Sequence, residues 1–176
     1  MKERLIHLLL AIVVLMGLLL LAIALAEPAA NGGGITHPDF AGMQAGGDGA
    51  ARMEYIGSYA FLFHCLLLAL IAALCVLGVS RQRRTPRFLA IVSLSLLFTW
   101  YIAWQMYSGH QDFLASGETG YFLGFPTATA WAVYGTWLGA IPLIVLYCVG
   151  FRRYVFSDED KAKYQQLLET KKKKED

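Results

Sequence analysis

The chain has 176 residues, of which 57% are apolar and only 16% are charged, with 17 glycines besides. A soluble domain carries about 25% charged residues, so a water-soluble enzyme, a disordered tail protein and a secreted disulfide scaffold are excluded. The formal net charge is only +2, but the charges are very unevenly placed.

The apolar residues gather in four uncharged blocks, approximately Leu5 to Ala26, Tyr55 to Val79, Phe88 to Met106 and Ala128 to Phe151. At 1.5 Å per residue, about 18 residues or more cross the roughly 30 Å of bilayer hydrocarbon. The sequence therefore predicts an all-α integral membrane protein with four transmembrane helices. The first block, within residues 1–26, has a second reading. Lys2 and Arg4, a long apolar run and Ala24-Leu25-Ala26 before Glu27 also describe a signal sequence with its cleavage site. The run of about 22 residues exceeds the usual 7 to 15 of a signal core, which favours a retained helix. Cleavage would leave three spans.

Residues 27–54 follow as a glycine-rich loop with Gly32-Gly33-Gly34 and Gly46-Gly47, expected to be flexible because it has little side-chain surface to bury. This loop holds His37-Pro38-Asp39. A three-helix transmembrane region over 55–151 comes next. Within it His64 lies about nine residues into the second span, some 13 Å down and close to the midplane. As a functional residue it would ligate haem or anchor a polar group; as a structural one it would hydrogen-bond to a neighbouring helix. His7 lies at a different depth, near the other end of the first span. Cys65, Cys75 and Cys148 lack any paired spacing and read as small core residues.

The turn from Ser80 to Arg87 is short and contains Pro86, so the second and third spans should form an antiparallel hairpin. The third span carries Trp100, Trp104 and Tyr107 at helical spacing, a stripe suited to docking another helix. An outer loop is expected over 107–126, with His110-Gln111-Asp112 inside it. His37, Asp39, His110 and Asp112 could converge on a divalent metal, since imidazole and carboxylate are suitable ligands; the other reading is two exposed turns that never meet. In the fourth span, Trp131 precedes Gly135 and Gly139, a G-x-x-x-G step that allows close helix approach, and Pro142 should kink the helix.

The tail, 152–176, opens with a cap at Ser157 and three carboxylates, predicting a short cytoplasmic helix to about Thr170. Lys171 to Lys174 then form either a solvated end or a contact for anionic lipid headgroups. Fourteen of the 15 basic residues flank the first span's start, the Ser80–Arg87 turn and the tail. Arg52 alone lies on the other side, with Glu27, Asp39, Asp48, Glu54, Asp112 and Glu118. The positive-inside bias then predicts both termini on the inner side of a bacterial cytoplasmic (inner) membrane.

No Asp, Glu, Lys or Arg falls inside any of the four blocks. Ion-coupled transporters and proton pumps place such groups at membrane depth, so the chain is not expected to transport alone. From about Arg84 onward it resembles the small two-helix subunit that accompanies some bacterial sodium:solute symporters. The shared features are a basic lead-in to an apolar span, a polar loop, Leu123-Gly124-Phe125-Pro126, Trp131, Gly135, and an apolar helix ending in Arg152-Arg153-Tyr154. In that family the tryptophan sits one place earlier, and a glutamine pair stands where this chain has Val133-Tyr134. The resemblance implies an accessory subunit paired with a large permease.

The expectation is thus a non-catalytic accessory or structural subunit of a larger membrane complex supporting a solute transporter. It needs no cofactor and no nucleic acid. The partner surface would comprise Trp100, Trp104, Trp131, Gly135 and Gly139. The competing expectation is a subunit of a respiratory or electron-transfer complex, contacting haem or quinone through His64.

Overall fold

The computed structural model describes residues 2–27, 34–45 and 49–175. It holds four helices long and apolar enough to cross a membrane: α1 (Lys2–Leu25), α2 (Gly49–Gly78), α3 (Pro86–Ser116) and a fourth span over Thr127–Val155. The fourth span is built from α4 (Thr127–Ala130), α5 (Thr136–Gly150) and two π-helical stretches, Trp131–Gly135 and Phe151–Val155. A tail helix, α6 (Asp158–Glu175), follows. Helix α1 packs on α2, α2 on α3, and α3 on the fourth span.

Two small hairpins modify the all-α expectation. Strands β1 (Ile35–Thr36) and β2 (Gln44–Ala45) pair antiparallel inside the first glycine-rich loop. Gly34 opens this hairpin at a φ of +85°, where a Cβ would run into the carbonyl oxygen of Ala45. Only glycine fits there. Gly32, Gly33, Gly46 and Gly47 lie outside the described residues. The loop is also shorter than expected, because α2 begins at Gly49. Strands β3 (Tyr121–Phe122) and β4 (Phe125–Pro126) form the second hairpin. Its two turn residues, Leu123 and Gly124, have φ of 47° and 85°, the pairing a two-residue turn requires to match strand twist.

Helix α3 also runs further than expected. It is 31 residues long, about 46 Å at 1.5 Å per residue, which is longer than the roughly 30 Å thickness of a bilayer's hydrocarbon. Thr85 starts it, its hydroxyl accepting from the Phe88 N–H at 3.2 Å, with Pro86 in the first turn where its missing N–H is harmless. Gly117 ends it in the left-handed region at φ 71°, its N–H reaching the Phe113 carbonyl, a common helix stop. The expected loop over 107–126 therefore shrinks to 117–126.

At the arginine-rich end, α2, α3 and the fourth span converge. Val79 and Phe88 are each only 1% exposed, and with Ala72, Val92, Leu146 and Tyr154 they form the core cluster. The Phe88 and Tyr154 rings meet at 5.1 Å. The turn between α2 and α3 is held by its arginines: the Arg84 Nε–H donates to the Val79 carbonyl at 2.9 Å, capping the end of α2. Further along, Gly135 and Gly139 let the fourth span lie directly on α3. A Cβ on either would come within 2.9 Å of Ile102, and one on Gly139 within 3.0 Å of Thr99. Pro142 sits inside α5 without ending it; the helical pattern changes instead at the two π-helical stretches.

Arg83 fixes the tail. Its guanidinium donates to the Val155 carbonyl at 3.1 Å and to the Ser157 hydroxyl at 2.7 Å, and it pairs with the Asp160 carboxylate. Ser157 and Asp160 cap α6 reciprocally, the Ser157 N–H donating to the carboxylate at 3.0 Å. The helix runs to Glu175, past the expected end near Thr170.

Two outcomes test this packing. Gly139→Leu overpacks the seam against Ile102 and Thr99 and should cost about 1–3 kcal/mol, read as a lower melting temperature of the detergent-purified chain. The Asp160 carboxyl is held below its ordinary range, first by the Ser157 N–H and next by Arg83. Its folded value is the lower one, so the clasp is at full strength above the ordinary carboxylate range and is lost as pH falls through the depressed value. A spin label at Gln166 should be restrained at neutral pH and mobilised only in strong acid, and Arg83→Gln should move that transition to higher pH.

Candidate functional site

Several polar side chains on the span-length helices bond to this chain's own carbonyls. Ser95 donates to Ile91 at 2.8 Å and Thr99 to Leu96 at 2.9 Å. Two side chains reach carbonyls of a neighbouring helix: Trp100 Nε1–H donates to Cys65 at 3.0 Å, and Tyr147 O–H to Cys75 at 2.8 Å. Each replaces a hydrogen bond that hydrocarbon could not supply.

Others make no such bond with any described residue, among them Ser93, Gln105, Thr136 and His64. His64 is half-buried near the middle of α2 and makes no hydrogen bond with any described residue. It lies on the walls of two neighbouring cavities. One, of about 490 Å³, runs toward the glycine-rich end between α2, α3 and the start of the fourth span, past Ala60, Phe61, Tyr107 and His110. The other, of about 230 Å³, continues toward the centre along Leu68, Ile71, Thr99 and Leu143. Small residues open the larger cavity: Gly57 and Ala60 on α2, Ala103 on α3, Ala128 and Ala132 on the fourth span. Phe61 and Tyr107 stack at 4.7 Å and an interplanar angle of 21° on its wall, and the Tyr107 hydroxyl bonds to Ser58 at 3.2 Å.

The same contacts set the register of α2 against α3, pairing Ser58 with Tyr107 and Cys65 with Trp100. His110 thus sits about nine residues, roughly 14 Å, along the axis from His64. That is too far for the two imidazoles to share one haem iron. His7 lies in the first turns of α1, where its Nδ1–H donates to the Glu3 carbonyl at 2.7 Å. The His110 Nε2 is shielded from solvent and has no partner among the described residues.

The two H-x-D pairs do not assemble a metal site; among the described residues no three His, Cys, Asp or Glu side chains gather as metal ligands. His110 and Asp112 belong to α3, not to a loop, and two positions apart on a helix they point to nearly opposite sides. His37 instead shapes its own hairpin turn, its Nδ1 accepting from the Asp39 N–H at 3.1 Å.

Of the residues expected at a partner surface, the two glycines lie on a seam of this chain, whereas Trp100 and Trp104 touch α2 yet stay 38% and 52% exposed. Trp100 and Trp104 sit against α2, Trp104 packing on Phe61 with ring centroids at 6.0 Å. Gly135 and Gly139 face α3. Trp131 meets Tyr101 edge-on at 5.7 Å, and together with Phe122, Ala130, Tyr134, Gly135 and Leu138 it lines a second cavity, about 410 Å³, beneath the β3–β4 hairpin. Phe122 and Leu138 are 58% and 55% exposed. In the sequence Phe122 is one of an aromatic cluster around the start of the fourth span and Leu138 one apolar residue of its block; nothing there shows that the hairpin folds over that span.

Comparison of the chain with protein-family models, curated proteins and solved structures gives no match.

An unpaired imidazole at mid-span is a cost to the ligand-free chain, and an apolar group of similar shape removes it. His64→Leu should therefore raise the stability of the purified protein by about 1 kcal/mol, whereas Trp100→Phe, which strands no partner but loses a bond, should lower it by about as much. Chemical or thermal unfolding in one detergent would show shifts of opposite sign.

Proposed function

We propose that this chain is a non-catalytic accessory subunit of a larger integral membrane complex, one that supports a solute transporter, with both termini inside a bacterial cytoplasmic membrane. The placement of the arginines and lysines supports that orientation. The observation that carries the accessory role is the groove at the glycine-rich end of the fourth span. It is formed by Phe122, Trp131, Tyr134 and Leu138 and left open by this chain. Beside it the hairpin tip presents Tyr121 and Leu123, 74% and 69% exposed. Clustered aromatics around a pocket are what partner helices use as anchors, and the pocket lies where the resemblance to symporter small subunits places its shared residues.

The absence of charge within the spans fits the same reading. A chain with no ionised group at membrane depth binds no coupling ion there by itself, so transport chemistry belongs to the partner. The seam glycines serve a different purpose in this reading: Gly135 and Gly139 build the subunit, and the hairpin groove meets the partner.

Pull-down of the tagged chain in mild detergent, with mass spectrometry, should recover a larger multi-pass protein. Phe122→Ala with Leu138→Ala should reduce that recovery about tenfold or more, the loss expected for central anchors, while the purified subunit keeps its melting temperature. Equal recovery with the double variant would refute the groove as the contact.

A further inference from the structure

The seam around His64 has properties that partner docking does not use. It reaches from the glycine-rich end to mid-span as two adjacent spaces, an open groove of about 490 Å³ and a smaller one of about 230 Å³, with His64 and Ala103 on the walls of both. The larger alone is within the range of small-molecule sites, about 300–1,000 Å³. We propose that it binds a neutral, lipid-soluble molecule with a planar hydrogen-bonding head, of the quinone class. The head lies on His64 and the apolar remainder runs along α2 and α3.

The chemistry of the walls selects this class. No lining residue carries a formal charge, so a charged headgroup at this depth would go uncompensated. A neutral imidazole offers one N–H donor and one nitrogen acceptor, and His64 uses neither on this chain. A lipid acyl chain would fill the volume and leave that imidazole unanswered. A carbonyl or hydroxyl on a flat ring answers it. The stacked Phe61 and Tyr107 present a flat face beside it, and Met106 lends a polarisable, adaptable contact. His110, roughly 14 Å along the axis, stands at the end of α3 that outreaches the hydrocarbon, where a molecule entering from the headgroup level would first meet the seam.

The inference does not rest on the accessory-subunit reading, since the seam belongs to one chain. It is tested on the purified full chain in nanodiscs free of quinone, titrated with decylubiquinone while the fluorescence of Trp100, Trp104 and Trp131 is followed. A saturable quench is expected above the linear partitioning background. His64→Leu removes the hydrogen-bonding group, and Ala132→Leu fills the cavity while leaving His64 in place. Each should weaken the apparent affinity at least tenfold. Partitioning without saturation, or equal affinity in both variants, would overturn the proposal. So would native mass spectrometry showing a retained phospholipid whose occupancy His64→Leu leaves unchanged, the result expected of a seam that takes acyl chains alone. Loss of the quinone signal together with intact partner recovery would separate this failure from failure of the partner groove.

Discussion

Hydrocarbon offers no water to a polar side chain, so each such group on a span must find its partner in protein or remain a standing cost. This constraint organises the fold. Ser95 and Thr99 turn back to their own helix, and Trp100 and Tyr147 reach across to α2 at two different heights. Those two cross-helix bonds tie α3 and the fourth span to the same helix, and so fix the register that places every other residue in the seam. Arg83 and Arg84 apply the same rule at the arginine-rich end, where they satisfy the carbonyls that the ends of α2 and the fourth span would leave open. His64 is among the polar groups that no described residue of its own chain answers, and it lies on the walls of two neighbouring spaces.

Small residues have two opposite uses in the molecule, and the difference lies in what faces them. Gly135 and Gly139 oppose the branched side chains of Ile102 and Thr99, which fill the space that the missing Cβ atoms leave, and the helices close. Gly57, Ala60, Ala103, Ala128 and Ala132 line one side of the molecule where the helices leave an open groove between them. Where helices associate by close packing rather than by water exclusion, this choice decides where they close into a core and where they leave a groove.

Much of this was legible in the residues. The apolar blocks, the proline turn at Pro86, the Ser157 cap and the mid-span position of His64 all follow from local chemistry, and the structure has four span-length helices in those places. What could not be read was any feature set by contact between segments. Nothing in His110-Gln111-Asp112 reveals that α3 continues to Gly117, because glutamine, aspartate and phenylalanine extend a helix as readily as they enter a loop when the stop signal lies further on. The G-x-x-x-G step gives the capacity for close approach but not the identity of the neighbour, and here the neighbour is α3. The Arg83 clasp joins positions 83 and 160, a pairing that no local pattern encodes. For the same reason Phe122 reads only as one of an aromatic cluster, and Leu138 as one apolar residue among many.

The start of the fourth span links the two candidate surfaces. Ala128, Thr129 and Ala132 face the His64 seam, while Ala130, Trp131, Tyr134, Gly135 and Leu138 face the groove under the hairpin. A regular α-helix turns 100° per residue and leaves little choice over which residues face which side. The π-helical stretch at Trp131–Gly135 adds a residue to one turn, widening the helix where it must serve two sides, and such bulges recur at functional positions. The turn residue Leu123 contributes from the other edge. A leucine at positive φ is strained relative to glycine or asparagine, and its side chain is held out at the hairpin tip beside the groove. Strain at the tip and a bulge in the wall thus fall within thirteen residues of each other in a span whose remainder is regular helix down to Gly150. Both of these departures border the groove under the hairpin, and the bulge also carries Ala132 on the wall toward the His64 seam.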